Sequence, residues 1–271
     1  MRAHLGMISL FAVALPLVAG TAWAETPATD KPALSAEKKA CDRHAFRAVV
    51  DVGHTLTVGG ATSARGIYEY EFNLRLAKQV AAKLAAAGFD KTVLLITTEP
   101  AHSALFKRSS RANAMGADIF LSIHHDSVPD SMLEAWEYGG KTSHFSDRFS
   151  GYSVFVSRDN PDFQDSLRFA DLVAKEMKAD GLDYAKQYTL PIMGRNQHEL
   201  LNKETGVYRY DQLVVLRKTK MPAVLLEAGS ISNRDEEVAM SSPERQEMIA
   251  SGVAEAVKEF CDPRWAILGP M

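Results

Sequence analysis

Four side chains in this sequence of 271 residues combine reactive chemistry with the places where chemistry is usually built. His54 follows the apolar run Val49-Val50-Asp51-Val52-Gly53, His124 ends Ile119-Phe120-Leu121-Ser122-Ile123, and Glu227 ends Ala223-Val224-Leu225-Leu226. Glu69 falls in the first turn of a helical pattern, where a carboxylate also meets the positive end of the helix dipole. Two neutral imidazoles and one carboxylate make a usual catalytic zinc shell with an open fourth position. A single anionic ligand leaves such a metal net positive and able to acidify water. Taken singly, each residue has a plainer reading: the histidines as hydrogen-bonded groups at strand ends, Glu69 as a capping residue. The sequence contains no contiguous HExxH motif.

Those positions acquire meaning from the elements around them. The apolar patterns predict strands over 46–52, 92–97, 118–124, 152–157 and 222–227, and helices over 68–87, 104–115, 162–179 and 243–260. In the first helix Phe72, Leu76, Val80 and Leu84 recur every four residues, and Gly88 stands where a C-terminal cap belongs. Strands alternating with helices specify a single α/β domain, a twisted and mostly parallel sheet with helices on both faces. Ligands bind such sheets at the carboxyl ends of the strands, where His54, His124 and Glu227 fall. Asp51, Ser122 and Asp126 stand close enough in sequence to orient an imidazole, or serve as turn and cap residues. His125 either contacts substrate or points from the opposite face of the strand end. Asn233 shapes the turn after Glu227. The stretch 184–210 is polar and interrupted, as a lid or a surface insertion would be.

Composition narrows the function classes. Charged residues make up 24% and hydrophobic ones 46%, which supports a folded core rather than a disordered chain. The 31 basic against 34 acidic residues argue against a nucleic-acid binder. Residues 1–24, with a short apolar stretch from Met7 to Val18 and an Ala22-Trp23-Ala24 close, read as a signal peptide rather than an uncleaved anchor. No later stretch is long enough to span a bilayer, so the protein is expected to be exported, periplasmic or secreted, without stable membrane insertion. Residues 25–44 read as a linker, 45–262 as the catalytic domain and 263–271 as a C-terminal tail. Cys41 and Cys261 flank the first strand and the last helix, and in an oxidising compartment they are expected to pair, two buried free thiols being the alternative.

Four runs in order resemble the zinc-dependent N-acetylmuramoyl-L-alanine amidases of bacterial cell-wall remodelling. They are Val50-Asp51-Val52-Gly53-His54, Gly66 to Leu74, Ala117 to Ser127 with Ser122-Ile123-His124-His125-Asp126, and Pro222 to Asn233 with Leu226-Glu227-Ala228-Gly229. The resemblance implies that His54, Glu69 and His124 bind one Zn²⁺ per chain and that Glu227 is the catalytic carboxylate. It selects Glu69 over Glu71 because the family glutamate stands four residues before an Asn-Leu pair, here Asn73-Leu74. It selects His124 over His125 because His124 directly follows Ser122-Ile123. Arg108 and Asn113 fit the family's approach to the third ligand strand. The chain departs from the pattern at Val58, Tyr70 and Ser230, which bears on substrate contacts and loop shape rather than on the ligands.

The activity so implied is hydrolysis of the peptidoglycan amide joining N-acetylmuramic acid to the L-alanine of the stem peptide, with Glu227 as general base. A zinc peptidase of stem peptides and a non-catalytic cell-wall-binding protein are the alternatives. Amidases of this type can carry an insertion that covers the site until a partner displaces it. On that reading Glu199 and Glu204 are candidates to cap the metal and an activator protein is a candidate partner; on the other, 184–210 is a constitutive substrate loop.

Overall fold

The computed structural model describes residues 40–264. The signal peptide expected over 1–24, most of the linker and the tail beyond residue 264 lie outside the described residues. In chain order the elements are β1 (Ala48–Val52), α1 (Glu69–Ala86), β2 (Val93–Leu95), α2 (Ala101–Met115), β3 (Ile119–Asp126), β4 (Glu134–Tyr138), β5 (Lys141–Phe145), β6 (Ser153–Val156), α3 (Phe163–Ala179), β7 (Glu199–Asn202), β8 (Val207–Arg209), α4 (Val214–Arg217), β9 (Ala223–Ser230), α5 (Arg234–Ser241) and α6 (Pro243–Cys261).

Alternation along the central strands builds two cores, one on each face of the sheet. Val50, Val52, Leu121, Ile123, Val224 and Leu226 pack into one cluster with Phe72, Leu76, Val80 and Leu84 of α1. Their strand neighbours Val49, Phe120 and Leu225 pack into the other, with Val215 and Leu216 of α4. Side chains buried this fully each contribute about 1.5–3 kcal/mol of hydrophobic stabilisation, which is why continuous apolar runs mark these strands.

Among the described residues the sheet has seven strands in the order β2-β1-β3-β9-β6-β8-β7. β2, β1, β3 and β9 run parallel to one another, and β6 is antiparallel to β9. Strand order reverses at β1, since the chain passes first to β2 on one side and then to β3 on the other. The carboxyl ends of β1, β3 and β9 therefore open together on one edge. Among the described residues no helix is long and apolar enough to cross a membrane.

Caps explain where the helices stop. Gly88 (φ 86°) follows α1 and Gly116 (φ 59°) closes α2 in the left-handed conformation. The Asn233 side chain accepts from the backbone N–H groups of Asp235 and Glu236 at the start of α5, and Ser242 caps α6 ahead of Pro243. Cys41 and Cys261 are joined by a disulfide across a Cα separation of 5.1 Å, and Cys41 N–H donates to the Cys261 carbonyl at 2.8 Å. In the chain-entropy model a bridge closing so long a loop is worth up to about 5 kcal/mol.

Three features depart from the sequence pattern. β4 and β5 form an antiparallel hairpin in a stretch without apolar periodicity, because both of its faces are largely exposed. β9 runs to Ser230, three residues beyond the predicted end. The insertion 184–210 supplies β7 and β8, which pair with each other and extend the sheet edge beyond β6.

Candidate metal centre and its neighbouring carboxylate

The end of β1 turns sharply at His54, whose backbone sits at φ 63°, an uncommon conformation for a residue with a side chain. Arg108, fully buried on α2, holds that turn by donating from Nη2 to the His54 carbonyl, while its Nε lies 3.6 Å from Asp51 Oδ1. Asp51 in turn accepts from Ser122 Oγ at 2.8 Å. Burial lifts the Asp51 carboxyl to about 6, against the opposing pull of Arg108 and Ser122.

Glu69 opens α1 and reaches back between the two histidines. Its Oε2 lies 2.8 Å from His54 Nε2 and its Oε1 lies 2.9 Å from His124 Nδ1. Burial alone would raise its proton affinity, but the two imidazoles outweigh that and hold the carboxyl well below its ordinary range. Asn73, one helical turn on, donates to Glu69 Oε1 at 3.1 Å and to the Gly53 carbonyl at 3.3 Å. Two glycines permit the close approach. A Cβ on Gly53 would lie 2.5 Å from the His124 ring, and one on Gly60 (φ 79°) would lie 2.5 Å from both Glu69 and His54.

The donor atoms of His54, Glu69 and His124 lie within 4.8 Å of one another. Two nitrogens and one carboxylate oxygen converging in this way form a group that could hold a metal ion, and the mix of donors suits a borderline cation. Burial, partly offset by Glu69, lowers the His124 pKa and favours the neutral ring that metal ligation requires.

Glu227 stands in register with His124 on the adjacent parallel strand. Its Oε2 is buried and has no hydrogen-bond partner. Burial, followed by repulsion from Asp126 and Glu69, raises its pKa well above the usual carboxylate range. Asp126 is raised to about 7 by burial, although it accepts from Tyr188 Oη at 2.6 Å and from Ser127 N–H at 2.8 Å.

The remaining candidates fall elsewhere. His125 is buried against Phe72, with Nδ1 2.8 Å from Asn73 Oδ1, and burial lowers its pKa to about 3. It thus faces the interior beneath α1. Asn233 donates to the Asp147 and Phe149 carbonyls besides capping α5. Asn113 holds the Lys218 and Lys220 backbone. Glu199 and Glu204, candidates to cap the metal on one of the two readings of 184–210, are not part of the group formed by His54, Glu69 and His124. Glu199 lies on the edge strand β7, its carboxylate held by Arg158 at 3.2 Å and Arg209 at 3.0 Å, and Glu204 is exposed in the β7–β8 turn. The hairpin that carries them pairs into the sheet edge beside β6.

Sequence reasoning did not assign Asn73, Tyr188 or Glu236 to the site's supports. Asn73 was findable, since four residues after Glu69 places it on the same helix face. Glu236, which accepts from Ser230 and Gly151 N–H at 2.9 Å each, and Tyr188 act across chain distances that no local pattern reveals.

The family model described as N-acetylmuramoyl-L-alanine amidase matches residues 48–259. The chain is 29% identical over 212 residues to an endolysin of Bacillus phage SPP1, a match covering 78% of this chain and 64% of the endolysin's length. It is 26% identical to the N-acetylmuramoyl-L-alanine amidase AmiA of Escherichia coli, covering 78% of this chain and 75% of AmiA. Among solved structures, the catalytic domain of the amidase CwlV from Bacillus (Paenibacillus) polymyxa var. colistinus aligns with a TM-score of 0.58 at 27% identity, over 80% of this chain and 98% of that domain.

Proposed function

The chain belongs to the N-acetylmuramoyl-L-alanine amidase family, hydrolases of an amide bond, and on that premise we propose that it cleaves peptidoglycan between N-acetylmuramic acid and the L-alanine of the stem peptide. In this reading His54, Glu69 and His124 hold one zinc ion and Glu227 is the general base. Zinc at these donors supplies Lewis acidity toward an amide carbonyl and toward water, together with a positive charge that favours ionised carboxylates nearby.

The observation that carries the reading is the pairing of a His-Glu-His group with an unpartnered buried carboxylate in register beside it. Glu69 and the Arg108 contact fix the two imidazoles, so the ligands need little rearrangement. Glu227 Oε2 is unsaturated and can take a proton from the attacking water. The disulfide supports the expectation that the enzyme works in an exported, oxidising compartment.

Digestion of purified sacculi with and without a chelator, followed by mass analysis of the released fragments, tests the proposal. Intact stem peptides released only when metal is present are expected. Trimmed peptides would make the protein a peptidase, and no release at all would leave a wall-binding role.

A further inference from the structure

The triad cavity does not end at the triad. A cavity of about 930 Å³ is lined by His54 and His124, and a second of about 820 Å³ lies between the loop 60–66 and the hairpin β4–β5. Gly60 lines both, so they meet beside Glu69. Their walls differ. The triad cavity carries exposed apolar side chains from Leu56, Val58, Tyr68 and Leu105, and its Arg108 is engaged by the His54 carbonyl and Asp51. The second groove is lined by the hydroxyls of Thr62, Ser127 and Thr142 and by two cations, Arg65 and Lys141, against one acid, Asp130.

The wall of this groove is built to hold its shape. Trp136 Nε1 donates to the Ala64 carbonyl at 2.8 Å, tying the hairpin to the loop. Arg65, ion-paired to Glu237 at 2.6 Å, lies 5.6 Å from the rings of both Trp136 and Tyr138. Arg234, paired with Asp147, lies 5.1 Å from the Trp136 ring and 3.7 Å from the Phe145 ring. Arg65 is therefore committed to structure, whereas Lys141 has no ion-pair partner shown among the described residues.

We propose that the groove between loop 60–66 and the β4–β5 hairpin is the stem-peptide arm of the site, taking a carboxylate of the peptide beyond L-alanine on Lys141. The inference rests on the amidase reading for the identity of the chain that occupies the groove. A glycan of neutral sugars offers Lys141 no charge, while the peptide attached at the scissile amide carries free carboxylates. A hydroxyl-lined groove beside Glu69, in which Lys141 is the cation not taken up by an ion pair among the described residues, matches the latter.

The experiment measures binding and so does not depend on turnover. A synthetic stem tripeptide with free carboxylates and its carboxamide counterpart are titrated against the zinc-loaded full chain. The acid form is expected to bind about tenfold more tightly than the amide, a preference that Lys141→Glu abolishes, Lys141→Arg retains and the distant Lys203→Glu leaves intact. Equal affinity for acid and amide, or a preference unchanged in Lys141→Glu, overturns the assignment. If the preference appears but sacculi are not cleaved, the groove stands and the amidase reading falls.

Discussion

Both halves of the sheet bury ionisable groups, but they treat them in opposite ways. In the parallel half, β2-β1-β3-β9, Asp51 Oδ1, Arg108 Nε and Glu227 Oε2 are buried without a hydrogen-bond partner. Around β6, β8 and β7 the buried phenols are satisfied: Tyr152 donates to the Thr205 carbonyl at 2.8 Å and Tyr208 to the Ala185 carbonyl at 2.6 Å. There Phe155 lies at the centre of an aromatic nest, with Tyr188 and His198 5.3 Å away and Tyr208 5.7 Å away. Asp51 and Arg108 compensate each other's charge at 3.6 Å, whereas a buried group short of hydrogen bonds, as Glu227 is, is costly and persists where the surrounding packing can hold it. Tyr188 joins the halves, since its ring belongs to the nest and its hydroxyl reaches Asp126. On the proposed reading one half is organised for chemistry and the other for packing, and substitutions should separate the two.

Glu227→Gln is the strongest test of that separation. The amide keeps the shape of the side chain but cannot take a proton, so kcat on sacculi is expected to fall by about 10²–10⁴. Metal content should stay at the wild-type value and thermal stability should not drop, because the variant removes a carboxylate that burial disfavours in its charged form. Wild-type turnover in this variant would break the comparison at its central residue. Asn73→Ala comes next. It removes the donor that fixes Glu69 Oε1 and the Gly53 carbonyl, and metal affinity measured against a competing chelator is expected to weaken by about 10–100-fold. Activity should recover at saturating zinc, which distinguishes a positioning role from a collapsed fold.

The chemical half was the legible one. β1, β3 and β9 are continuous apolar runs because they are buried on both faces, and a polar residue at the end of such a run stands out against it. α1 announced itself through Phe72, Leu76, Val80 and Leu84 for the same reason. The pairing of Cys41 with Cys261 was readable from their places outside the first strand and the last helix. Residues 184–210 were harder to read, because their polarity in sequence fits a lid and a surface insertion equally. In the fold, Val207 and Tyr208 are buried, Leu200 packs against the second core, and Glu199 is taken up by Arg158 and Arg209. Short strands at a sheet edge have one wet side and too few residues to set a period. The partners of Asp51 were hidden for another reason: Ser122 and Arg108 reach it from β3 and α2, a convergence made by topology alone.

The packing half yields the smallest expected effect and a sign that can be checked. His198 lies 4.1 Å from Tyr210 and 5.2 Å from Tyr188, ring centroid to ring centroid, and its backbone N–H donates to the Tyr188 carbonyl. Burial lowers its pKa to about 4 from an ordinary value of 6.5. Between those two values the unfolded chain holds more protons than the folded one, so stability rises with pH across that window. The contribution is fully present above about 6.5 and lost as pH falls toward 4. Its size is on the order of 1 kcal/mol after discounting for partial exposure. His198→Phe keeps an aromatic ring in the nest but removes the proton site. Denaturant unfolding at a series of pH values should therefore show a shallower slope from 4 to 6.5 in the variant, with similar stability at neutral pH. An unchanged slope, or a large loss of activity at neutral pH, would move His198 out of the packing half and into the chemical one.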